Sequence, residues 1–213
     1  MEKINQQVEY WDRVASEKEY THPINTSLIR SYLPLNSQIL DYGCGYGRTC
    51  FELGKHGYRN VVGVDISSEM ISRGREKYPE LRLEVLPKAG LVDQENKFDA
   101  VFVLAVLTCI PTNDGQQDVL ENIWQILKPD GLIYISDYLL QEDERNLRRY
   151  QKYEKKYDTY GVFELQEGVI VRHHPVEWIK TLTSKFETIV MEDIEVLTMN
   201  GHRAKAFQYL GRK

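Results

Sequence analysis

Three glycines and two aspartates have the residue types and the spacing of a ligand site. In the stretch ILDYGCGYGRTCF, a short apolar run ends at Asp41 and is followed by Gly43, Gly45 and Gly47. Glycines at this spacing let the backbone turn sharply and bring bare N–H groups and a helix N-terminus against a ligand. A second acidic residue, Asp65, ends the next apolar run, VVGVD. The pattern predicts a nucleotide-type site at the carboxyl ends of two neighbouring strands.

Asp65 is placed to hold a ribose, because the two oxygens of a carboxylate can accept both ribose hydroxyls. The spacing alone permits a nicotinamide dinucleotide, whose fingerprint also has an acidic residue about twenty positions further on. The loop itself argues against that cofactor, because the fingerprint needs glycine at its sixth position. This chain has Arg48 there when counted from Gly43, and Cys50 when counted from Gly45.

Apolar runs bounded by turn signals follow the glycine loop at regular intervals. VVGVD, LRLEVL, KFDAVFVLAVL and LIYISD predict strands, and the amphipathic stretches between them predict helices. Ser67 is placed to cap one helix, and the turn Pro129-Asp130-Gly131 is placed before the fifth strand. This alternation predicts an α/β, Rossmann-like doubly wound sheet, mostly parallel, with helices on both faces. A closing hairpin that turns at Asn200-Gly201 predicts an antiparallel last strand.

Residues 1–36 precede the first predicted strand and predict a helical N-terminal preface. This preface contains the adjacent aromatic residues Tyr10 and Trp11 in polar surroundings. Two interpretations stay open: the pair attaches the preface to the core, or it forms a lid over the glycine loop.

Residues 138–174 interrupt the alternation after the fifth strand. Their first half is a highly charged helix pattern with a thin apolar stripe at three- and four-residue spacing, formed by Leu147, Tyr150, Tyr153 and Tyr157. Gln166-Glu167-Gly168, between two β-rich runs, predicts a hairpin. We expect this insertion to be a substrate cap within one domain that spans residues 1–213.

The amino-acid composition limits which partners and which cellular compartment we expect for this protein. The net charge of −5 and the pI near 5.6 disfavour a nucleic-acid partner. No apolar run is long enough to span a bilayer, and the polar start MEKINQQVEYWDR is unlike a secretory signal. The three cysteines are odd in number and lack metal-ligand spacing. We therefore expect a reduced, cytoplasmic protein without a metal site or a membrane partner.

Four motifs, in this order, resemble those of the class I S-adenosylmethionine-dependent methyltransferases, in their small-molecule branch. ILDYGCGYGR is similar to the family's first motif, VVGVDIS to its second, FDAVFVLAVLTCI to its fourth and LKPDGLIYISD to its fifth. The resemblance covers roughly residues 38–137. It implies the fold and the cofactor S-adenosyl-L-methionine. In this family, the substrate is determined by the chain ends and the insertion, which the resemblance does not cover.

The resemblance also implies a set of cofactor contacts at the strand ends. The first motif would line the methionine end, and Asp65 would hold the ribose. Ile66 and Met70 would flank the adenine. The backbone of Leu104 and Ala105 would lie along the amino-acid part of the cofactor. Pro87, Lys88 and Ala89 stand where the family usually has an acidic contact to the adenine amino group, so that contact is missing here. The implied contacts are Tyr10, Asp41, Gly43, Cys44, Gly45, Asp65, Ile66, Met70, Lys88, Ala89, Leu104 and Ala105.

Methyl transfer from a sulfonium is an in-line displacement that needs position and a dry pocket more than it needs a base. Where many relatives carry a histidine after the fourth strand, this chain has Thr108 and Cys109. The candidate catalytic or pocket residues are therefore His173, His174 and Tyr138. The alternative is that they are surface, capping or packing residues.

The predicted function is methyl transfer to a small-molecule acceptor by a monomer or homodimer. Within the same class, a protein or RNA methyltransferase is the alternative, and a basic or open cleft would favour it. A protein that binds S-adenosylmethionine without transferring its methyl group is a second alternative. A nicotinamide-dependent oxidoreductase is the most distant one.

Overall fold

A seven-stranded sheet forms the centre of the fold. The computed structural model describes residues 2–87, 90–91, 94–165 and 168–213. The strands of the sheet are β1 Gln38–Tyr42, β2 Asn60–Asp65, β3 Arg82–Val85, β4 Phe98–Leu104, β5 Leu127–Tyr138, β8 Glu187–Leu197 and β9 Arg203–Arg212. A separate two-stranded hairpin pairs β6 Val162–Glu164 with β7 Ile170–Arg172.

The strand order is β3-β2-β1-β4-β5-β9-β8, and β1 to β5 run parallel. The predicted doubly wound sheet with an antiparallel last strand is therefore confirmed. This last strand, β9, lies inside the sheet rather than at its edge, because it pairs antiparallel with both β5 and β8. The carboxyl ends of β1 and β2 are neighbours, which brings the glycine loop and Asp65 to one edge.

Helices cover both faces of the sheet. They are α1 Glu2–Val14, α2 Thr26–Tyr32, α3 Arg48–Lys55, α4 Ser68–Lys77, α5 Asn113–Ile126, α6 Glu144–Tyr157 and α7 Val176–Leu182. Along β5, Ile133 and Ile135 pack on the face covered by α5 and α7, whereas Leu132 and Tyr134 pack on the face of α2 and α3. This alternation is the period of two of a strand that is buried on both faces. No helix in the described part of the chain has the length and apolar character needed to cross a membrane.

The predicted turn before the fifth strand lies within β5 instead. Phe98 pairs with Leu127 and Ala100 pairs with Leu132, so the partner strand bulges across the intervening residues. Asp130 adopts a left-handed conformation in this bulge, with φ of 62°. The turn chemistry was predicted correctly, but the strand begins before it because pairing with β4 starts at Leu127.

The segment 138–174, called the cap segment below, leaves and rejoins the sheet at one point. The Leu140 N–H donates to the His174 carbonyl at 2.9 Å, and the His174 N–H donates to the Tyr138 carbonyl at 3.0 Å. Between these points lie α6, which is the predicted charged helix, and the β6–β7 hairpin. Two residues of the predicted hairpin turn, Gln166 and Glu167, lie outside the described residues.

Candidate functional site

The glycine loop folds back onto β2. All three loop glycines are left-handed, with φ of 73° at Gly43, 55° at Gly45 and 83° at Gly47. The N–H groups of Gly43 and Cys44 both donate to the Val64 carbonyl, at 2.8 and 3.0 Å. Residues with a side chain adopt such φ values at a cost, so the predicted need for glycine follows from the backbone itself.

Asp65 joins the loop to the end of β2. Its Oδ2 accepts the Gly45 N–H at 2.8 Å, and its Oδ1 accepts the Ser67 N–H at 2.9 Å. Burial raises the pKa of this carboxyl, and the two backbone N–H groups oppose that shift. Each carboxylate oxygen has a further lone pair, so Asp65 can still accept hydrogen bonds from a ligand.

The N-terminal segment, residues 2–22, docks beside Asp65. Ser67 Oγ caps α4 by accepting the Met70 N–H at 3.1 Å, and it donates to Asp12 Oδ1 at 2.6 Å. On the same helix, Arg73 donates to the carbonyls of Ala15 and Lys18 at 2.8 and 2.6 Å. These contacts fix where the chain enters the site after α1.

Tyr20 lies directly on the glycine loop. A Cβ added to Gly45 would fall 2.0 Å from the Tyr20 ring. The ring stacks on Tyr46 with centroids 5.1 Å apart, and its hydroxyl lies 3.4 Å from Met70 Sδ. Tyr10, which the sequence predicts as a cofactor contact, packs in the same cluster with Tyr46 and Met70. An aromatic residue in a polar stretch was the only local signal for Tyr20.

The cap segment meets the N-terminal segment in the same cluster. Val169 is buried with Tyr10 and Met70. Gln7 Nε2 donates to the Cys109 carbonyl at 3.2 Å and to the Ile170 carbonyl at 2.7 Å. One side chain therefore links α1, the loop after β4 and the cap hairpin.

The predicted catalytic histidines are held inside the cap segment. His174 is fully buried; its Nδ1 lies 3.0 Å from the Tyr138 carbonyl and its Nε2 lies 2.9 Å from Gln116 Nε2. His173 Nδ1 lies 2.6 Å from the Tyr150 hydroxyl, and the rings of His173 and Tyr138 are 5.6 Å apart. Burial lowers the pKa of both histidines to about 3, so both rings are neutral. With both ring nitrogens engaged, His174 has a geometry that favours a structural role.

The residues that follow β4 also support the cap segment. The Thr108 N–H donates to Asp137 Oδ2 at 3.0 Å, and Thr108 Oγ1 donates to the Arg172 carbonyl at 2.8 Å. Burial raises the pKa of Asp137 to about 7 and also raises the pKa of the Cys109 thiol. A raised thiol pKa keeps Cys109 protonated, so it is a poor nucleophile.

The other sequence-predicted cofactor residues lie around the same edge, except two. Ile66, next to Asp65, is 39% exposed, while Asp41 and Cys44 are buried beneath the loop. Leu104 ends β4, and Ala105 follows it in a left-handed conformation with φ of 53°. Lys88 and Ala89 lie outside the described residues.

Comparisons with known proteins agree with this architecture. A family model described as a methyltransferase domain matches residues 39–131. An S-adenosylmethionine-dependent methyltransferase structure from Methanosarcina mazei superimposes with a TM-score of 0.82 at 23% identity, over 87% of this chain and 96% of that one. Residues 39–131 therefore resemble a methyltransferase domain, and the chain has the fold of the Methanosarcina structure. The Methanosarcina protein is described as dependent on S-adenosylmethionine.

Curated relatives carry different substrate names. Trans-aconitate 2-methyltransferase of Variovorax paradoxus is 29% identical over 120 residues, which are 56% of this chain and 45% of that protein. The tRNA (carboxymethyluridine(34)-5-O)-methyltransferase of Arabidopsis thaliana is 31% identical over 115 residues, 54% of this chain and 27% of that protein. The chain spans less than half the length of either relative.

The site geometry suits S-adenosylmethionine. The left-handed glycines expose backbone without side chains, and Asp65 retains acceptor positions for two hydroxyls. Ile66 supplies an exposed apolar side chain beside that carboxylate. The carboxyl of Asp41, buried under the loop, can balance a nearby positive charge.

Gly45→Ala tests the contact between the loop and Tyr20. A left-handed alanine costs about 1–2 kcal/mol, and its Cβ would clash with the Tyr20 ring at 2.0 Å. We expect urea denaturation to show a free energy of unfolding lower by about 2 kcal/mol or more, partly recovered in the double variant with Tyr20→Ala. Gly54→Ala is the control, because nothing lies within 4 Å of its added Cβ in α3. Wild-type stability of Gly45→Ala would contradict this contact.

Asp65→Ala tests the proposed ribose contact. We expect calorimetry to show S-adenosylmethionine binding weaker by about 1–3 kcal/mol, because polar partners are left unpaired. Asp65→Asn keeps one acceptor oxygen and should lose less affinity. Thermal unfolding of both variants without cofactor measures any collapse of the loop separately. Unchanged affinity in a folded Asp65→Ala protein would exclude the ribose role.

Asp41→Asn tests the raised pKa under the loop. Burial raises the pKa of Asp41 to about 7 from an ordinary 3.8. Between these pH values the folded state binds more protons than the unfolded state, so the Asp41 contribution to stability falls as pH rises. The free energy of unfolding of Asp41→Asn minus that of wild type should therefore rise by roughly 1 kcal/mol per pH unit between pH 4.5 and 7. A difference that does not change with pH would contradict the raised pKa.

Proposed function

We propose that this methyltransferase transfers a methyl group from S-adenosylmethionine to a small-molecule acceptor. The observation that carries the proposal is the joint packing of the N-terminal segment and the cap segment beside the glycine loop. A covered site favours a small acceptor and excludes water, which methyl transfer needs. The Variovorax relative is likewise named for a small molecule.

The proposed cofactor contacts follow the carboxyl edge of the sheet. Asp65 holds the ribose through the lone pairs that its two backbone donors leave free. Ile66 and Met70 flank the adenine, and Leu104 and Ala105 lie along the amino-acid part. The other proposed contacts are Tyr10, Asp41, Gly43, Cys44, Gly45, Lys88 and Ala89.

When bound, S-adenosylmethionine supplies an electrophilic methyl group on a positively charged sulfur. The chain positions the reactants, excludes water from the site and supplies a negative charge. Tyr20 and Tyr10 cover the loop, and the ionised form of Asp41 is favoured by a cation nearby. His173 and Tyr138 are proposed pocket residues, while His174 supports the backbone of Tyr138. A reduced, cytoplasmic setting is part of the proposal and is supported by three free cysteines.

The joint packing predicts that the cap segment responds to ligands. Hydrogen exchange over residues 141–174 should slow when S-adenosylhomocysteine binds, because closure of the site stabilises the hairpin. Gln7→Ala removes the side chain that links α1 to Ile170, and the protection should shrink. Gln125→Ala, an exposed glutamine of α5, is the matched control. Equal exchange with and without the ligand would contradict a cap.

Methyl-labelled S-adenosylmethionine tests the activity directly. Incubation with the small-molecule fraction of a cell extract should yield one labelled small product by mass spectrometry. Cofactor binding without any labelled product would favour the non-catalytic binding protein. Labelled macromolecules in unfractionated extract, with no labelled small product, would favour a protein or RNA methyltransferase.

One observation favours an RNA acceptor as the second candidate. The sequence of α6, ERNLRRYQKYEKKY, contains six arginine or lysine residues and two glutamates, and basic helices attract phosphate backbones. Three of these cations already pair with carboxylates: Arg145 with Asp143, Arg148 with Glu144 and Lys156 with Glu164. If tRNA is the acceptor, Lys152→Glu should abolish labelling of tRNA in the same assay. Under the small-molecule proposal, it should leave the labelled product unchanged.

A further inference from the structure

His22 presents a buried hydrogen-bond acceptor beside the proposed transfer site. Ser136 Oγ donates its only hydrogen to the Phe207 carbonyl at 2.9 Å, and His22 Nε2 lies 2.7 Å from the same oxygen. Nε2 must therefore carry the ring hydrogen and donate it to Ser136. Nδ1 is left with a lone pair, and within the described residues it is buried without a partner. The residue is only 4% exposed.

His22 is held through its ring by the end of β5 and through its backbone by the loop helix. Ser136 pairs with Leu104 at the end of β4, and its carbonyl accepts the Ala105 N–H at 2.8 Å. The Tyr138 ring meets the His22 ring edge-on, with centroids 5.3 Å apart. Arg48, the first residue after the glycine loop, donates to the His22 carbonyl. The His22 ring thus lies at the end of β5 beside Tyr138, and its backbone is held by the first residue of the loop helix.

An unpartnered buried acceptor is costly, and a ligand that donates a hydrogen bond removes that cost. Resting on the proposed methyl transfer, we propose that His22 Nδ1 accepts the hydrogen of an uncharged O–H or N–H group that receives the methyl. The acceptor class is therefore a phenol, an alcohol or a heteroaromatic N–H. A carboxylate is excluded, because it has lone pairs where the site needs a hydrogen.

The charge state of His22 fits an acceptor role. Burial and the neighbouring Arg48 guanidinium lower the pKa of His22 to about 4. The ring therefore stays neutral near pH 7, with its lone pair available.

The transfer step balances with His22 in this role. The lone pair of the acceptor atom forms the bond to the methyl carbon, and the electrons of the broken C–S bond stay on sulfur. The hydrogen of the acceptor passes as a proton to Nδ1 and then to water, because a buried imidazolium beside Arg48 is unfavourable.

Two substitutions separate this role from a structural one. His22→Asn places an amide oxygen near the position of Nδ1 and loses the Ser136 contact. His22→Gln places an amide N–H near the position of Nε2, keeps the Ser136 contact and loses the acceptor. Both variants are compared with wild type in the labelled-methyl assay with the small-molecule extract. The affinity for S-adenosylhomocysteine is measured by calorimetry. The exchangeable hydrogens of the labelled product are counted by mass spectrometry in D2O.

We expect His22→Gln to lose labelling by roughly 30-fold, the size expected for one stranded hydrogen bond, and His22→Asn to stay within about threefold. Affinity for S-adenosylhomocysteine should change less than about twofold in both. The product should have one exchangeable hydrogen fewer than its acceptor. Nitrogen NMR of labelled histidine should show Nδ1 of His22 without a hydrogen in the free protein.

Other outcomes overturn the proposal. An active His22→Gln, an equal loss in both variants, or a labelled carboxylate ester would assign His22 to structure alone. If wild type yields no labelled product at all, the proposed function itself fails and this inference fails with it. A loss of S-adenosylhomocysteine affinity in His22→Gln would place the lone pair in the cofactor site instead.

Discussion

The carboxylate of Asp65 is the interaction on which the rest of the site depends. By accepting one N–H from the glycine loop and one from the start of α4, it fixes two strand ends against each other. Both donors are backbone groups, so the arrangement follows from the chain trace rather than from flexible side chains. The same carboxylate then faces the ligand crevice with lone pairs to spare. The structure of the loop and the proposed binding of the ribose therefore depend on one residue.

The covering of this crevice depends on the same junction. Ser67, whose N–H bonds Asp65, also bonds Asp12 of α1, so the N-terminal segment is placed by the tip of β2. After α1, Tyr20 of the same segment lies against the glycine loop and His22 contacts Ser136 near the end of β5. The cap segment is tied to this cover through Gln7. Under the proposed function, a change at the cofactor would reach the substrate side through these direct contacts.

The loop and the sheet could be predicted because their signals are local. The left-handed positions 43, 45 and 47 carry glycine, and Asp65 ends a strand. Each apolar run also has its own turn signals. Tyr20 and His22 could not be predicted, because their partners Gly45 and Ser136 lie 25 and 114 positions away. The same limit applies to β9, whose place inside the sheet depends on pairing with β5. The prediction of His173 and His174 used their residue type alone, whereas their contacts with Tyr150 and Gln116 depend on packing between distant segments.

The central claim is that this glycine loop and Asp65 form a site for S-adenosylmethionine rather than for a dinucleotide. The most direct measurement is titration calorimetry of the unmodified chain with S-adenosylmethionine and, separately, with NAD. The account predicts one S-adenosylmethionine per chain and no heat from NAD, because Arg48 stands where the dinucleotide fingerprint needs glycine. Binding of NAD without binding of S-adenosylmethionine would contradict it.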